Sequence, residues 1–499
     1  MSHDLPRNID MRLEEAFNLI VELERRQIAN HLAWNGISLW PLIRHCLWIE
    51  LITDTAATPP PVSAPVWTRS LRQFIRRGAR YLRGWADFKV PRRSDATQIF
   101  VSRPVYLQAL PSGKLFDRIV DPLLFALPPG HHAEKFYVSP WPGQAGLQHA
   151  ARCLLPARTP ASQIATKDQD SLTTLAHAAG LDAASFFCRY AAALHAFCRW
   201  FETGARVFAG RPALRTIYLT SWYFPDMMGL TAAARQRGTR VVDVQHGKQG
   251  RHQVMYSGWY DIPPGAGYLS MPDSFWCWGQ PSCRHILASA PDRQTHRPFV
   301  GGFPWLDYYR TRLAEGIAGR GAQADGKRTV LVTMQPRHKA NLEPIPDFLV
   351  DYLRSEPAQT CFIFRCHPND TLGWEYCRQR LADIPPALFS VDTGKSNLYD
   401  QLLAATHHIT AYSSCCYEAS AFGVSTLLFG LDARAIYAEE IDSGEFAWTE
   451  GSTADLSAWL AAPASSPAGQ QAATSGTYIE SSLARAGELL SLFPSFNKP

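Results

Sequence analysis

The chain has 499 residues, 46% of them hydrophobic and 19% charged, with a formal net charge of +5. That length supports two substantial domains with buried cores, and the composition excludes a disordered or fibrous chain. The positive excess is too small to argue for a nucleic-acid partner, and none is expected.

The opening "MSHDLPRNIDMRLEEAF" lacks the charged-then-apolar pattern of a secretory signal, and no segment reaches the roughly 18 uninterrupted apolar residues of a membrane span. Eleven cysteines, an odd number without repeated C-x-x-C pairs, indicate neither a disulfide framework nor a zinc site. A reducing cytoplasm is the simplest setting, with the protein soluble or peripheral. Residues 11–52 carry apolar positions at three- and four-residue spacing and predict helix. Residues 67–93 interleave arginines with Trp67, Leu71, Phe74, Ile75, Tyr81, Leu82 and Trp85, a composition that fits a helix lying in a membrane interface or one packed by its aromatic side. Region 1–94 is therefore expected to be helical, with a basic aromatic stretch.

Region 95–310 alternates strands in "TQIFVSRPVYL", "EKFYVSP", "RTIYLTSWYFPD", "TRVVDVQHG", "SFWCWG" and "RPFVGGFP" with helices such as "MMGLTAAARQRG". A Gly- and Ala-rich linker, "RLAEGIAGRGAQADGKR", leads to region 327–435, where strand and helix alternate from "TVLVTM" to "STLLFG". Residues 436–499 read as a linker and helices, ending near the amphipathic "YIESSLARAGELLSLF". This order predicts an α/β protein of two doubly wound, Rossmann-like domains built on parallel sheets.

In the second domain the strand "CFIFR" exits at His367, and Pro368 biases His367 towards an extended backbone on a stiff turn. The tract "HHITAYSSCCYEASAFG" places Ser413 and Ser414 between a strand and a helix, with Glu418 one turn in. Each has an ordinary reading alone: a strand-ending histidine, an N-cap, a surface acid. Together, at the carboxyl ends of one parallel sheet, His367 and the serines suit a nucleotide phosphate, and Glu418 is placed to accept from ribose hydroxyls. Arg365 adds charge there if it turns towards the crevice.

In the first domain, His246 in "DVQHGKQG" follows a strand and is expected to line the interdomain cleft beside Gln245. Asp243 lies two residues earlier, on the same sheet face or buried with a structural role, and Asp226 follows "SWYFP" at another strand exit. His246, Asp243 and Asp226 are the candidates for catalytic base or nucleophile. With no D-x-D tripeptide or histidine cluster nearby, no metal and no further cofactor is expected. His407 and His408 begin a strand, away from the crevice. Residues 258–273, turn residues mixed with aromatics, form a candidate acceptor-facing loop.

These residues carry a family resemblance. His367–Pro368 with Ser413–Ser414 is similar to the paired motifs of bacterial sialyltransferases that use CMP-sialic acid, and resembles the CMP-Kdo-using transferases of capsule assembly. "SSxxxEAxxxG" resembles the nucleotide half of GT-B glycosyltransferases. "VVDVQHG", "VGGFPWLDYY" and "WNGISLWPLIR" resemble elements of capsule and surface-carbohydrate proteins, including relatives that use CDP-glycerol. The resemblance implies a GT-B-like fold, two Rossmann-like domains facing a cleft behind a helical extension. It also implies transfer from a CMP-linked donor, Kdo or a sialic-acid-like sugar, to a glycan or lipid-linked glycan at the inner face of the cell membrane. A CDP-glycerol-type polyol phosphate transferase and a non-catalytic glycan-assembly component are the other readings. The acidic pair followed by glycine that supplies the sialyltransferase base has no counterpart here, which leaves the base and the stereochemical outcome open.

Overall fold

A computed structural model describes residues 9–52, 93–110, 112–139, 146–158, 166–313, 328–335, 343–355, 360–367, 370, 372–394, 396–462 and 481–492. The basic aromatic stretch apart from Arg93, most of the linker, and Pro368 lie outside these residues. The chain divides into two compact units. The first holds Arg12–Trp278, Ser282–Trp305 and the segment from Ser481 onward, and the second is built mainly from Leu306–Glu480.

In the first unit the main sheet has seven strands among the described residues: β1 (Gln98–Ser102), β2 (Ala133–Tyr137), β3 (Arg152–Cys153), β4 (Thr216–Leu219), β5 (Arg240–Val244), β6 (Ser274–Cys277) and β7 (Arg297–Val300). They pair in the order β3-β2-β1-β4-β5-β6-β7, and every pairing is parallel. β1 and β4 are buried along their whole length, the pattern of strands covered on both faces.

The helical expectation for residues 11–52 resolves into α1 (Ile9–Arg25) and α2 (Trp40–Ile52), separated by a strand pair at Ala33–Trp34 and Ile37–Ser38. The break comes from Asn35 and Gly36, both at positive φ (49° and 77°), the conformation a two-residue hairpin turn demands. Both helices belong to the first core, where Ile20, Leu23, Trp40 and Leu42 join Phe197 and Leu230. Glu24 and Arg44 form a buried ion pair, both side chains 0% exposed. Arg44 also donates to the carbonyls of Val254 (3.0 Å), Ser257 (2.9 Å) and Gly258 (2.9 Å), while Glu24 accepts from the backbone N–H groups of Tyr260 (3.2 Å) and Asp261 (3.1 Å). Removing either partner would strand a charge in the core, so this pair fixes the segment after Val254.

Two further helices back the sheet. α3 (Ala183–Ala209) starts at Asp182, whose carboxylate accepts from the N–H of Ser185, and α4 (Pro225–Gln236) starts at a proline with its φ already set. They pack backbone to backbone at Gly229, where a Cβ would lie 2.4 Å from the Phe197 carbonyl oxygen. The helix Ser482–Leu492 returns to this unit, with the Leu490 carbonyl accepting from Gln98 Nε2 at 3.2 Å.

The second unit holds β8 (Arg328–Thr333), β9 (Thr360–Arg365), β10 (Phe389–Asp392), β11 (His407–Thr410), β12 (Ser425–Phe429) and β13 (Ala447–Thr449). Their order is β10-β9-β8-β11-β12-β13, again all parallel, around a core of Val330, Val332, Phe362, Phe364, Ile409 and Leu427. Each sheet therefore starts near its middle, grows to one side, and reverses. The reversal falls between β1 and β4 in the first unit and between β8 and β11 in the second. In open α/β sheets the loops leaving the carboxyl ends at such a reversal form the ligand crevice.

Candidate functional site

In the first unit three strand exits meet. β1 runs into Arg103, β4 into Thr220 and Ser221, and β5 into Gln245 and His246. Ser221 holds φ at +55°, a left-handed conformation unusual for a residue with a Cβ and often kept where function requires it. This turn aims its hydroxyl at two partners: Ser221 Oγ lies 2.8 Å from the Tyr106 hydroxyl and 3.2 Å from His246 Nε2. The Tyr223 hydroxyl stands 3.3 Å from the same nitrogen. Burial, then the charges of Arg118 and Arg103, hold the imidazole down at about 4, so His246 is neutral near pH 7.

Asp226, in the first turn of α4, accepts from Arg103 Nη2 at 2.5 Å and from the N–H of Met227 at 2.8 Å. The Arg103 guanidinium lies 4.5 Å above the Phe224 ring. His246 and Asp226 thus stand at this edge, while Asp243 has another role. It is 0% exposed, accepts from the Trp222 N–H (3.1 Å) and the Tyr256 hydroxyl (2.8 Å), and burial pushes it up to about 8. A carboxyl without surface cannot reach a substrate hydroxyl. Asp243 is corrected from candidate base to a buried pin between the β4 exit and the turn at Tyr256. Gln245 is a similar pin: its Oε1 accepts from the Trp278 N–H at 2.7 Å and its Nε2 donates to the Gly247 carbonyl at 2.9 Å.

The sequence reading missed Arg103, Tyr106, Ser221 and Tyr223. A signal for Arg103 was present: "SRP" places a cation before a proline at a strand exit, as "CHP" does for His367. Residues 258–273, the candidate acceptor-facing loop, are held to the first unit at several points, while Tyr260 and residues 264–266 stay exposed. The Tyr268 N–H donates to His296 Nε2 at 2.9 Å, and Arg235 donates to the carbonyls of Ala266 (2.7 Å) and Met271 (2.9 Å).

In the second unit Ser413 and Ser414, both partly exposed, lie a short turn past the end of β11 at the strand-order reversal. Ser413 Oγ accepts from the Cys415 N–H at 3.3 Å, and Ser414, the residue before α5 (Cys415–Ala421), makes no side-chain cap bond. The helix has only seven residues, so the serine hydroxyls rather than a long dipole distinguish this spot. His367 leaves β9 at the same edge. β8 separates β9 from β11, which sets His367 and the serines two strand spacings apart, about 10 Å.

Two expected contributors there are otherwise engaged. Arg365, 9% exposed, donates to Asp392 Oδ2 (2.5 Å), Gln401 Oε1 (2.8 Å) and the Gly394 and Ser396 carbonyls (3.3 and 2.9 Å). It clamps the β10 exit and is not available to a phosphate. Glu418 is 2% exposed and accepts from the Tyr399 hydroxyl at 3.2 Å. Its place on the packed side of α5, beneath the turn, leaves no surface for a ribose. His407 and His408 are packed rather than solvated: His407 meets the Trp459 ring edge-on at 4.8 Å, and His408 lies between Thr333 Oγ1 (2.9 Å) and Thr426 Oγ1 (3.1 Å).

Among the described residues no group of three or more His, Cys, Asp or Glu side chains is arranged to hold a metal ion, and no helix is long and apolar enough to cross a membrane.

No protein-family model and no curated protein matches this chain. Solved structures do. The UDP-GlcNAc 2-epimerase from Methanocaldococcus jannaschii is similar at a TM-score of 0.51 and 10% identity, covering 79% of this chain and 99% of its own. The UDP-GlcNAc 2-epimerase from Neisseria meningitidis, bound to UDP-GlcNAc, gives 0.50 and 13%, covering 80% and 99%. The wall teichoic acid polymerase TagF, as its H548A variant, gives 0.45 and 12%, covering 85% and 99%. The two epimerase likenesses bear on the fold alone: the chain has a GT-B-like architecture of two Rossmann-like, doubly wound α/β units, with helices preceding the first sheet.

Proposed function

We propose that this protein is a nucleotide-sugar-dependent glycosyltransferase that uses a CMP-linked donor, carrying Kdo or a sialic-acid-like sugar, to extend a cell-surface polysaccharide. One observation carries the reading: Ser413 and Ser414 in the second unit lie past the strand at the reversal of strand order, and in the first unit His246, one strand over, bonds Ser221 at the corresponding reversal, where open α/β sheets bind ligands. The second unit holds the donor phosphate through Ser413, Ser414 and His367, hydrogen-bonding groups that favour the departing charge. The first unit serves the acceptor. In transfer the acceptor oxygen bonds to the anomeric carbon, the bond from that carbon to the phosphate oxygen breaks, and the acceptor hydroxyl's proton passes to a base, for which neutral His246 is the first candidate. Asp226 is the second candidate for that proton. The resemblance of the HP and SS motifs to CMP-sugar enzymes supports CMP over other nucleotides, and an acceptor on a lipid carrier at the inner membrane face fits the arginine-aromatic composition of residues 67–93.

Thermal denaturation of the full chain with CMP, CDP and UDP tests the donor. A ligand raises the melting temperature only by binding the folded state, so CMP is expected to give the largest rise and Ser413→Ala/Ser414→Ala to remove most of it. A larger rise with CDP favours a polyol phosphate donor, and no rise with any of the three removes the transferase reading.

A further inference from the structure

We propose that Gln335, at the exit of β8, binds the phosphate of the nucleotide donor between His367 on one side and Ser413 and Ser414 on the other. This rests on the transferase reading and adds a residue to the site in the second unit.

Strand order puts β8 in the middle of that site. β9 and β11 flank it, with Thr333 level with Arg365 on one side and with Thr410 on the other. The Met334 N–H donates to the Arg365 carbonyl at 3.0 Å, which carries the β8–β9 ladder past Thr333. Two residues on from that register, Gln335 stands level with His367. Adjacent strands are about 5 Å apart, so Gln335 is one spacing from each flank while His367 and the serines are two spacings from each other. A ligand touched from both flanks therefore lies over the β8 exit, where Gln335 stands.

The side chains just before it are already engaged. Thr333 Oγ1 lies 2.9 Å from His408 Nε2, and Met334 belongs to the core, its sulfur accepting from the Cys377 thiol at 3.8 Å. Gln335 is different. The residue is only 9% exposed, yet among the described residues nothing hydrogen-bonds its amide, and neither amide atom is sealed from solvent. A polar group covered on most sides and open on one is set to meet a ligand there, and Nε2 brings two N–H donors that suit a phosphate oxygen. The sequence adds an independent sign. Pro336 follows Gln335 as Pro368 follows His367, and a proline biases the residue before it towards extended backbone. "MQP" and "CHP" thus set a hydrogen-bonding side chain at the same place on neighbouring strands.

The test is titration calorimetry on the full chain with CMP, CDP, UDP and the phosphate-free nucleoside cytidine. Wild type is expected to bind CMP on the order of tenfold tighter than cytidine. Gln335→Met, close in size but without the amide, is expected to lower CMP affinity about tenfold and to leave cytidine affinity unchanged. Gln335→Glu keeps the shape and sets a carboxylate against the phosphate, so it is expected to weaken CMP further still. The melting temperature of each ligand-free variant, expected to match wild type, checks that the fold is kept. CMP affinity unchanged in Gln335→Met, or CMP and cytidine weakened alike, overturns the proposal. The nucleotides separate the two claims: a chain that binds CDP or UDP but not CMP, with the same dependence on Gln335, upholds the phosphate contact and removes the CMP reading. A chain that binds none of the three overturns both.

Discussion

The two strand-order reversals are built on one plan and furnished differently. In the first unit, aromatic hydroxyls, an imidazole, a strained serine and an arginine–aspartate pair crowd the strand exits. In the second the exits carry two serines and a histidine, while the nearby charges, Arg365 and Glu418, are spent within the unit. A group that moves a proton needs neighbours to set its tautomer and titration, and His246 has them in Ser221, Tyr223 and the two arginines. A group that only holds a phosphate needs donors and room. The contrast teaches that strand order fixes where a ligand sits, while side chains a few residues past each strand decide what is done to it.

The contrast breaks most directly at His246. His246→Ala is expected to lower transfer about a hundred- to a thousandfold with the circular dichroism spectrum unchanged. Because the imidazole is held at about 4, the wild-type rate should stay level from pH 8 to about 5 and fall only below that, as protonation removes the acceptor lone pair. An acid limb centred near 6.5 would show an imidazole open to water and dismiss this base. Next comes Arg365→Ala, expected to destabilise the second unit by about 1–3 kcal/mol in urea unfolding, because the largely covered Asp392 carboxylate loses its cation. Its effect on CMP affinity should be small in whatever protein remains folded; a large loss would return Arg365 to the phosphate site.

The smallest effect is acid sensitivity at His408, 0% exposed and held down at about 3 by burial. Unfolded, the same ring titrates near 6.5. Below that pH the unfolded chain binds a proton that the folded one refuses, so stability is full above about 6.5 and declines as pH falls towards 3. His408→Gln, which can keep both threonine contacts, should flatten the fall in urea midpoint between pH 6.5 and 4. An equally steep fall in the variant would assign the sensitivity to other buried histidines.

Much of this was legible in the sequence because long apolar runs bounded by turn residues are strong signals. "TQIFVS", "TRVVDV" and "CFIFR" became β1, β5 and β9. The two-residue β3 and the three-residue β13 are too short to show a period. The hairpin within residues 11–52 was masked by helical spacing on both sides, although "WNGI" carried its turn signal. At the site, strand exits exposed His246, Asp226, His367 and the serines as candidates. Burial was illegible: whether Asp243, Arg365 and Glu418 face water depends on partners such as Tyr256, Gln401 and Tyr399, distant in sequence or on neighbouring elements. Ser221 gave no sign, because positive φ in a residue other than glycine leaves no trace in composition.

The helix Ser482–Leu492 has a consequence for biogenesis. It supplies Leu490, 0% exposed, to the unit whose sheet begins at Gln98, and the Ser482 hydroxyl accepts from the Phe303 N–H at 3.1 Å. A ribosome delivers every strand of both sheets before it delivers this helix. The half of the molecule that is translated first is therefore completed last, and a nascent chain stopped short of Ser482 would expose the face that Leu490 covers.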